Sequence, residues 1–233
     1  MVRKKVVVLS GAGISAESGI STFRDAGGLW QQHDIMEVAS IDGWYKNPAL
    51  VLEFYNARRR QLHEVHPNAA HAALVALESA YEVHVITQNV DDLHERAGSS
   101  RVLHLHGELF KARSTKNPEL VYDWRTDITL DDRCELGSQL RPHIVWFGEV
   151  VPLIEVAATE VLDADIVIVI GTSLQVYPAA GLVSFAPMDA QMYYIDPSAD
   201  ASAAKRAARS LEIIPTKATV GVPALVERLL TSA

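Results

Sequence analysis

The segment 4–10 is a continuous apolar and β-branched run that passes without a break into Gly11-Ala12-Gly13. A strand with no polar alternation has to be buried on both faces, and a sheet buried on both faces is normally parallel and covered by helices. Similar runs recur at 82–87, 101–106, 144–147, 164–170, 191–195 and 211–214. Between them lie helix signals. Asn47-Pro48 reads as a cap and first turn ahead of 49–65, Asn68 opens 68–80, Gly98 closes 91–97, and 223–230 reads as a surface helix. Strands alternating with helices predict an α/β protein, a Rossmann-like open parallel sheet with helices on both faces. The stretch 111–140 is the exception: polar, poorly periodic and rich in Asp, Arg, Thr and Ser, it reads as a small inserted module.

Composition narrows the classes. With 233 residues and 48% hydrophobic content, one domain with a full core is expected. A net charge of -8 argues against general nucleic-acid binding, which needs a basic face. No apolar run approaches the ~20 residues that span a bilayer, and MVRKKVVVLSGAG runs into a strand with no cleavage site, so a soluble cytoplasmic protein without membrane partners is expected. Cys134 is the sole cysteine, which rules out an internal disulfide and a multi-cysteine metal site.

Gly11-Ala12-Gly13-Ile14-Ser15-Ala16 follows the first strand, where glycines let backbone amides approach a pyrophosphate at a helix N-terminus. The plainer alternative is a tight turn that needs glycine for steric reasons. A dehydrogenase would next show a second strand ending in an acidic residue. This chain instead runs Glu17-Ser18-Gly19-Ile20-Ser21-Thr22-Phe23-Arg24-Asp25-Ala26-Gly27-Gly28, a polar loop suited to a lid over the nicotinamide end of a dinucleotide.

Five blocks in order, GAGISAESGISTFRD, TQNVDDLHERAG, HLHGEL, RPHIVWFGE and GTSLQVYPAA, resemble the signature blocks of the sirtuins across nearly the whole chain. The resemblance implies one catalytic domain over 1–233, with a nucleotide-binding core at about 1–40, 80–108 and 143–233. A helical insertion at about 41–79 and a small module at about 109–142 complete it. It further implies that NAD is consumed as a co-substrate: the acyl oxygen of a modified lysine attacks the nicotinamide ribose, releasing nicotinamide, free lysine and an O-acyl-ADP-ribose. Acylated lysines of proteins or peptides would be the partners, and a monomer is expected.

Residue by residue, Asn89 and Asp91 would line the nicotinamide pocket and Gln88 would contact its ribose. Asp91 reads equally well as a helix N-cap. His106 would be the catalytic base, since an imidazole accepts a proton near neutral pH; His104 would be structural. Their spacing also suits metal ligands, but no completing set stands nearby. Phe23 would shield the reacting ribose and Arg24 would order the lid, with Ser15, Glu17 and Ala218 also at the cofactor site. Gly171, Thr172 and Ser173 suit phosphate contacts. Asp196 suits the adenosine ribose, where the family often has Asn, or else caps the next segment.

Val145, Phe147, Gly148 and Glu149, with Val176 in the facing stretch, could hold a substrate strand by main-chain hydrogen bonds. Trp146 and Leu174 within these stretches could equally be core. Tyr55 and Arg58 are neighbours on one helical face, and a guanidinium can grip a carboxylate. Spacing alone does not separate Arg58 from Arg59, nor either from a solvated basic face. The Tyr-x-x-Arg pattern of sirtuins that remove succinyl, malonyl and glutaryl groups selects Arg58, with Ala26 leaving room. A plain deacetylase, an NAD-binding module without catalysis and an ADP-ribose transferase are the alternatives.

One departure is large. Sirtuins commonly hold the small module with zinc on two Cys-x-x-Cys pairs, and only Cys134 stands in that stretch here, so no structural zinc is expected. Val121, Tyr122, Trp124, Leu136 and Leu140 are candidate apolar replacements.

Overall fold

A computed structural model describes residues 3–20, 29–30, 33–198 and 210–232. In chain order it begins with β1 (Lys5–Ser10), two 3-10 turns (Ala12–Ile14 and Ala16–Ser18), β2 (Leu29–Trp30), β3 (His33–Asp34), α1 (Ile35–Val38) and α2 (Ile41–Lys46). Then come α3 (Pro48–Glu64), α4 (Ala69–Leu77), β4 (Glu82–Thr87), α5 (Leu93–Ala97), β5 (Val102–His104), β6 (Gly107–Ser114), β7 (Val121–Asp123) and β8 (Leu140–Ile144). The last third holds α6 (Ile154–Val161), β9 (Ile166–Ile170), a 3-10 segment (Ala179–Phe185), β10 (Gln191–Ile195), β11 (Ser210–Ile214) and α7 (Ala218–Thr231).

Six of these strands form one parallel sheet in the order β11-β10-β9-β1-β4-β5. Alternation sorts their side chains. Val7, Leu9, Val167 and Val169 face one layer with α6 and the 179–185 segment. Val6, Val8, Ile166 and Ile168 face the other, against Leu74 and Leu77 of α4 and Leu225 and Leu229 of α7. Burying each such side chain contributes about 1.5–3 kcal/mol, which is why polar alternation is absent from β1 and β9.

The expected caps form. Asn47 accepts from the Leu50 amide with Pro48 in the first turn, and Asn68 accepts from the Ala70 amide while His71 Nδ1 accepts from the Asn68 amide. The last helix starts earlier than its proline suggests. Pro223 lies inside α7, whose first turn is anchored because Ala218 and Val222 are buried against the sheet.

A second lobe faces the carboxyl end of this sheet. Val51, Phe54, Tyr55 and Leu62 of α3 share one core with Leu109 and Phe110 of β6, Leu140 and Ile144 of β8, and Trp146. The helical stretch and the small module are therefore one packed unit, whereas α4, grouped with the insertion by position, packs on the sheet with α7.

Two strand expectations change. The run 144–147 is not a strand of the parallel sheet: the pairing segment is β8, antiparallel to β6, with β7 on the far side of β6. The chain turns after Ile144 because the Glu149 carboxylate takes the Trp146 amide and Gly148 adopts φ +89. The run 101–106 shortens to β5, and His106 sits in the turn beyond it. Gly107 there has φ +83, and a Cβ would meet the His143 carbonyl oxygen at 2.0 Å, so only glycine can link β5 to β6 so closely.

Candidate active site

A cleft of about 770 Å³ lies between the two lobes at the carboxyl ends of β1, β4, β9 and β10, where α/β sheets bind ligands. Gly11, Ala12 and Gly13 form one wall. The steric reading of this motif holds for both glycines. A Cβ on Gly13 would stand 2.6 Å from Gly171 Cα, and one on Gly11 would stand 2.7 Å from Thr172 Cβ. Their amides donate to the Gly171 and Ile170 carbonyls at 2.8 and 2.9 Å, so they tie β1 to β9 and are not offered to a phosphate. Nor does a full α-helix follow, only two short 3-10 turns.

Thr172 Oγ1 accepts from Gln88 Nε2 at 3.2 Å and from the Leu174 amide at 3.3 Å, fixing the 171–173 turn against the 88–91 loop. Ser15 is fully buried rather than on the cleft wall: its Oγ accepts from Asn89 Nδ2 at 3.2 Å, and its hydroxyl also bonds Asp91. Burial pushes the Asp91 carboxyl above its usual range, opposed by bonds from the Leu93 amide and Ser15. Asp91 lines the cleft and accepts from the Leu93 amide at 3.2 Å, but it is not the N-cap read from the sequence: Asp92 holds that position, with no side-chain cap bond. Asp196 likewise lines the cleft, buried, while accepting from the Ser198 amide at 2.8 Å. Glu17 reaches from the cleft wall to Thr219 Oγ1 at 2.5 Å, which pulls its pKa down and pins the loop to α7 beside Ala218.

The two histidines separate cleanly. His104 contacts the Asn89 carbonyl at 3.0 Å and Glu95 at 2.7 Å. Burial works against its charge, but Glu95 and the carbonyl outweigh it and hold the pKa above 6.5, so it is a clamp on the loop. His106 contacts the Gln88 carbonyl through Nδ1 at 3.1 Å and lines the cleft. A carbonyl only accepts, so Nδ1 carries the proton and Nε2 keeps its lone pair. Burial lowers the His106 pKa and keeps the ring neutral.

The three consecutive arginines of α3 have three different fates. Arg58 is buried and lines the cleft beside Tyr55, with its Cζ 5.6 Å from the Phe54 ring. Burial pulls it down to about 10, so it stays charged at neutral pH. Arg59 is fully buried on another side of the helix, bonded to the Leu109 carbonyl at 3.0 Å and to Asn56 at 2.7 Å. Arg60 is exposed and paired with Asp127. A solvated basic face is excluded for the first two. Tyr55 is almost inaccessible, and burial pushes its hydroxyl up to about 12. Gln61 also lines the cleft, three residues beyond Arg58, and helical spacing would have found it.

The rim corrects one sequence reading. Glu149 lines the cleft, and its carboxylate is held within the protein: it accepts from Arg141 at 2.6 and 2.9 Å, from Arg113 at 3.1 and 3.2 Å, and from the Trp146 amide at 2.9 Å. Burial would raise its pKa, but the arginines hold it below the usual range. Main-chain pairing along 145–149 is also largely used, because the amides of Val145, Trp146, Phe147 and Glu149 bond His106 O, Glu149, Ala39 O and Trp146 O. Val145, Phe147, Gly148 and Val176 still line the cleft, with Phe147 and Val176 exposed. Trp146 and Leu174 are buried. Phe23, Arg24 and Ala26 lie outside the described residues.

In the small module, the expected apolar replacement fails for Val121 and Leu136, which are 38% and 51% exposed. The cross-link is polar instead. Ser114 Oγ accepts the amides of Lys116 and Asn117, both at 3.1 Å, and meets Ser138 Oγ at 2.8 Å and Cys134 Sγ at 3.3 Å. Leu140 is buried in the shared core, with Tyr122 and Trp124 packed against it. Among the described residues, no three His, Cys, Asp or Glu side chains converge as a metal set, and no helix is long and apolar enough to cross a membrane.

A parallel sheet with a glycine turn after β1, and a second lobe closing a cleft over its carboxyl edge, defines a ligand-binding α/β protein of the nucleotide-using kind. The Sir2 family model matches residues 11–178, and the chain belongs to that family. An NAD-dependent protein deacylase of Helicobacter pylori is 66% identical over 196 residues, covering 84% of this chain and 86% of that one. One from Bacteroides thetaiotaomicron is 51% identical over 233 residues, covering 97% and 98%. Among solved structures, a Sir2 homologue in complex with NAD has TM-score 0.87 at 37% identity, over 99% of this chain and 91% of that one. A Sir2 structure bound to a propionylated peptide has TM-score 0.77 at 30% identity, over 99% and 93%.

Proposed function

We propose that this chain removes acyl groups from lysine side chains of proteins or peptides at the expense of NAD, and that it favours acidic acyl groups such as succinyl and malonyl. One observation carries the reading: a single cleft is lined by the glycine turn and Asp196, by Gln88, Asn89 and Asp91, by His106, and by the buried pair Tyr55 and Arg58. Relatives named NAD-dependent protein deacylase and Sir2 structures holding NAD or an acylated peptide support it.

The residues suit a dinucleotide. Gly11 and Gly13 keep that wall free of side chains, Thr172 and Ser173 bring hydroxyls to it, and the Asp196 carboxylate can accept from ribose hydroxyls. NAD bound there would supply an electrophilic ribose carbon and a nicotinamide leaving group; attack by the acyl oxygen would release nicotinamide, and attack of a ribose hydroxyl on the acyl carbon, with one water consumed, would release free lysine and leave O-acyl-ADP-ribose. Asn89 and Asp91, braced by Ser15, would hold the carboxamide. His106 presents Nε2 as the base that takes a proton from a ribose hydroxyl, its other nitrogen being committed to Gln88.

Arg58 and Tyr55 give the acyl preference. A charge-assisted bond contributes about 1.5–3 kcal/mol, and a buried guanidinium gains nothing from an acetyl group. The test is a panel of peptides that differ only in the acyl group, assayed for nicotinamide release with and without NAD. Succinyl turnover should exceed acetyl turnover. Better acetyl turnover would overturn the preference, and no nicotinamide release from any peptide would overturn the deacylase itself.

A further inference from the structure

The indole of Trp146 donates its Nε1–H to the Tyr55 hydroxyl at 3.0 Å, across 91 residues of sequence and inside the buried core. An indole nitrogen can only donate, whereas a phenol hydroxyl accepts and also carries one hydrogen of its own. With its acceptor side taken by Trp146, Tyr55 directs its hydrogen elsewhere, and Tyr55 lines the cleft beside Arg58. Guanidinium nitrogens are donors only. Tyr55 and Arg58 therefore both present donors to the cleft.

The indole is held on every side. The Arg141 guanidinium lies 3.4 Å from its ring centre, Trp44 packs at 5.4 Å between centroids, and Glu149 takes the Trp146 amide while also binding Arg141. Such a fixed donor can impose one hydroxyl orientation on Tyr55.

We infer that Trp146 is a positioning residue for acyl selection: it fixes Tyr55 as a hydrogen donor, so that the pocket takes a carboxylate and rejects a carboxamide of the same shape. The inference rests on the acidic-acyl reading. It adds a residue that acts through the Tyr55 hydroxyl and a substrate distinction that charge alone does not make, because a carboxamide brings its own donors against Tyr55 and Arg58.

Trp146→Phe keeps a ring and removes the donor. In this variant the ratio of succinyl to acetyl kcat/KM should fall about tenfold, carried by the succinyl KM, the size of one lost hydrogen bond. In a Tyr55→Phe background the same substitution should change that ratio less than twofold, since the hydroxyl it acts through is gone. Effects that add in full, or equal losses of kcat for both acyl groups, would overturn the inference. A third measurement uses the unsubstituted enzyme: a succinamoyl-lysine peptide should be at least about tenfold poorer than succinyl, and equal turnover would overturn it too. An unsubstituted enzyme without any succinyl preference would sink the acidic-acyl reading itself, whereas a preference that survives Trp146→Phe sinks only the role of Trp146.

Discussion

The Nδ1–H of His106 is directed at the Gln88 carbonyl oxygen 3.1 Å away, so the ring is locked in the tautomer that leaves Nε2 basic. Burial lowers its pKa below 6.5. In the proposed role of base the neutral ring is the active form, and falling pH protonates it only on passing through the lowered value. The acid limb of kcat/KM should therefore have its midpoint below pH 6.5, and His106→Ala should lose about 10²–10⁴ of the rate. A pH–rate profile on a succinylated peptide checks both, and a midpoint above 6.5 contradicts the assignment.

Arg58 and Arg59, adjacent and both buried, should respond differently to substitution. Arg58→Met and Tyr55→Phe should each reduce succinyl kcat/KM by about 10- to 150-fold, a charge-assisted bond lost, while acetyl turnover falls far less. Arg59→Met removes the bonds to Leu109 and Asn56, so it should lower the melting temperature with no change in acyl preference. Equal effects on acyl preference would refute the division of labour.

His71 and His94 stack edge to face at 4.9 Å, fully buried, and burial lowers them to about 4 and about 3. Unfolded, both would titrate near 6.5, so below that pH the unfolded chain binds more protons. Stability is then complete above pH 6.5 and is lost as pH falls toward 4, by on the order of 1–2 kcal/mol per histidine at pH 5. Urea midpoints at pH 7 and pH 5 measure this. His94→Gln should shrink the difference, and an undiminished difference would rule out His94 as its source.

Ser114 is the hub of the small module's polar cross-link, nearly inaccessible and bonded to two amides, Ser138 and Cys134. Ser114→Ala leaves those amides without their acceptor and should lower stability by about 1–3 kcal/mol. A chelator should leave the melting temperature of the unsubstituted protein in place. A chelator-dependent fall would mean that a metal holds the module.

Much of this was legible in order along the chain. The apolar runs of β1, β4, β9 and β10 announced a parallel sheet because strands buried on both faces tolerate no polar alternation, and they were read to within two residues. The Asn47 and Asn68 caps were local and therefore visible. Other features had no local signal. Nothing beside Glu149 in the sequence announces that Arg113 and Arg141 pair with its carboxylate. The Gly11 and Gly13 amides looked free until Ile170 and Gly171 were seen to accept them.

By itself the sequence determined the sheet, the ordered blocks of the Sir2 family and the residues able to do chemistry, because strand burial, capping and block order are written in neighbouring residues. Only the tertiary structure decided where those residues stand. It put Arg58 on the cleft and Arg59 against Leu109 and Asn56, gave His104 to Glu95 and left His106 facing the cleft, and set Trp146 on Tyr55. The physical reason is that a hydrogen-bond donor or a charge is defined by its partner, and these partners lie across two lobes that meet only when the chain folds.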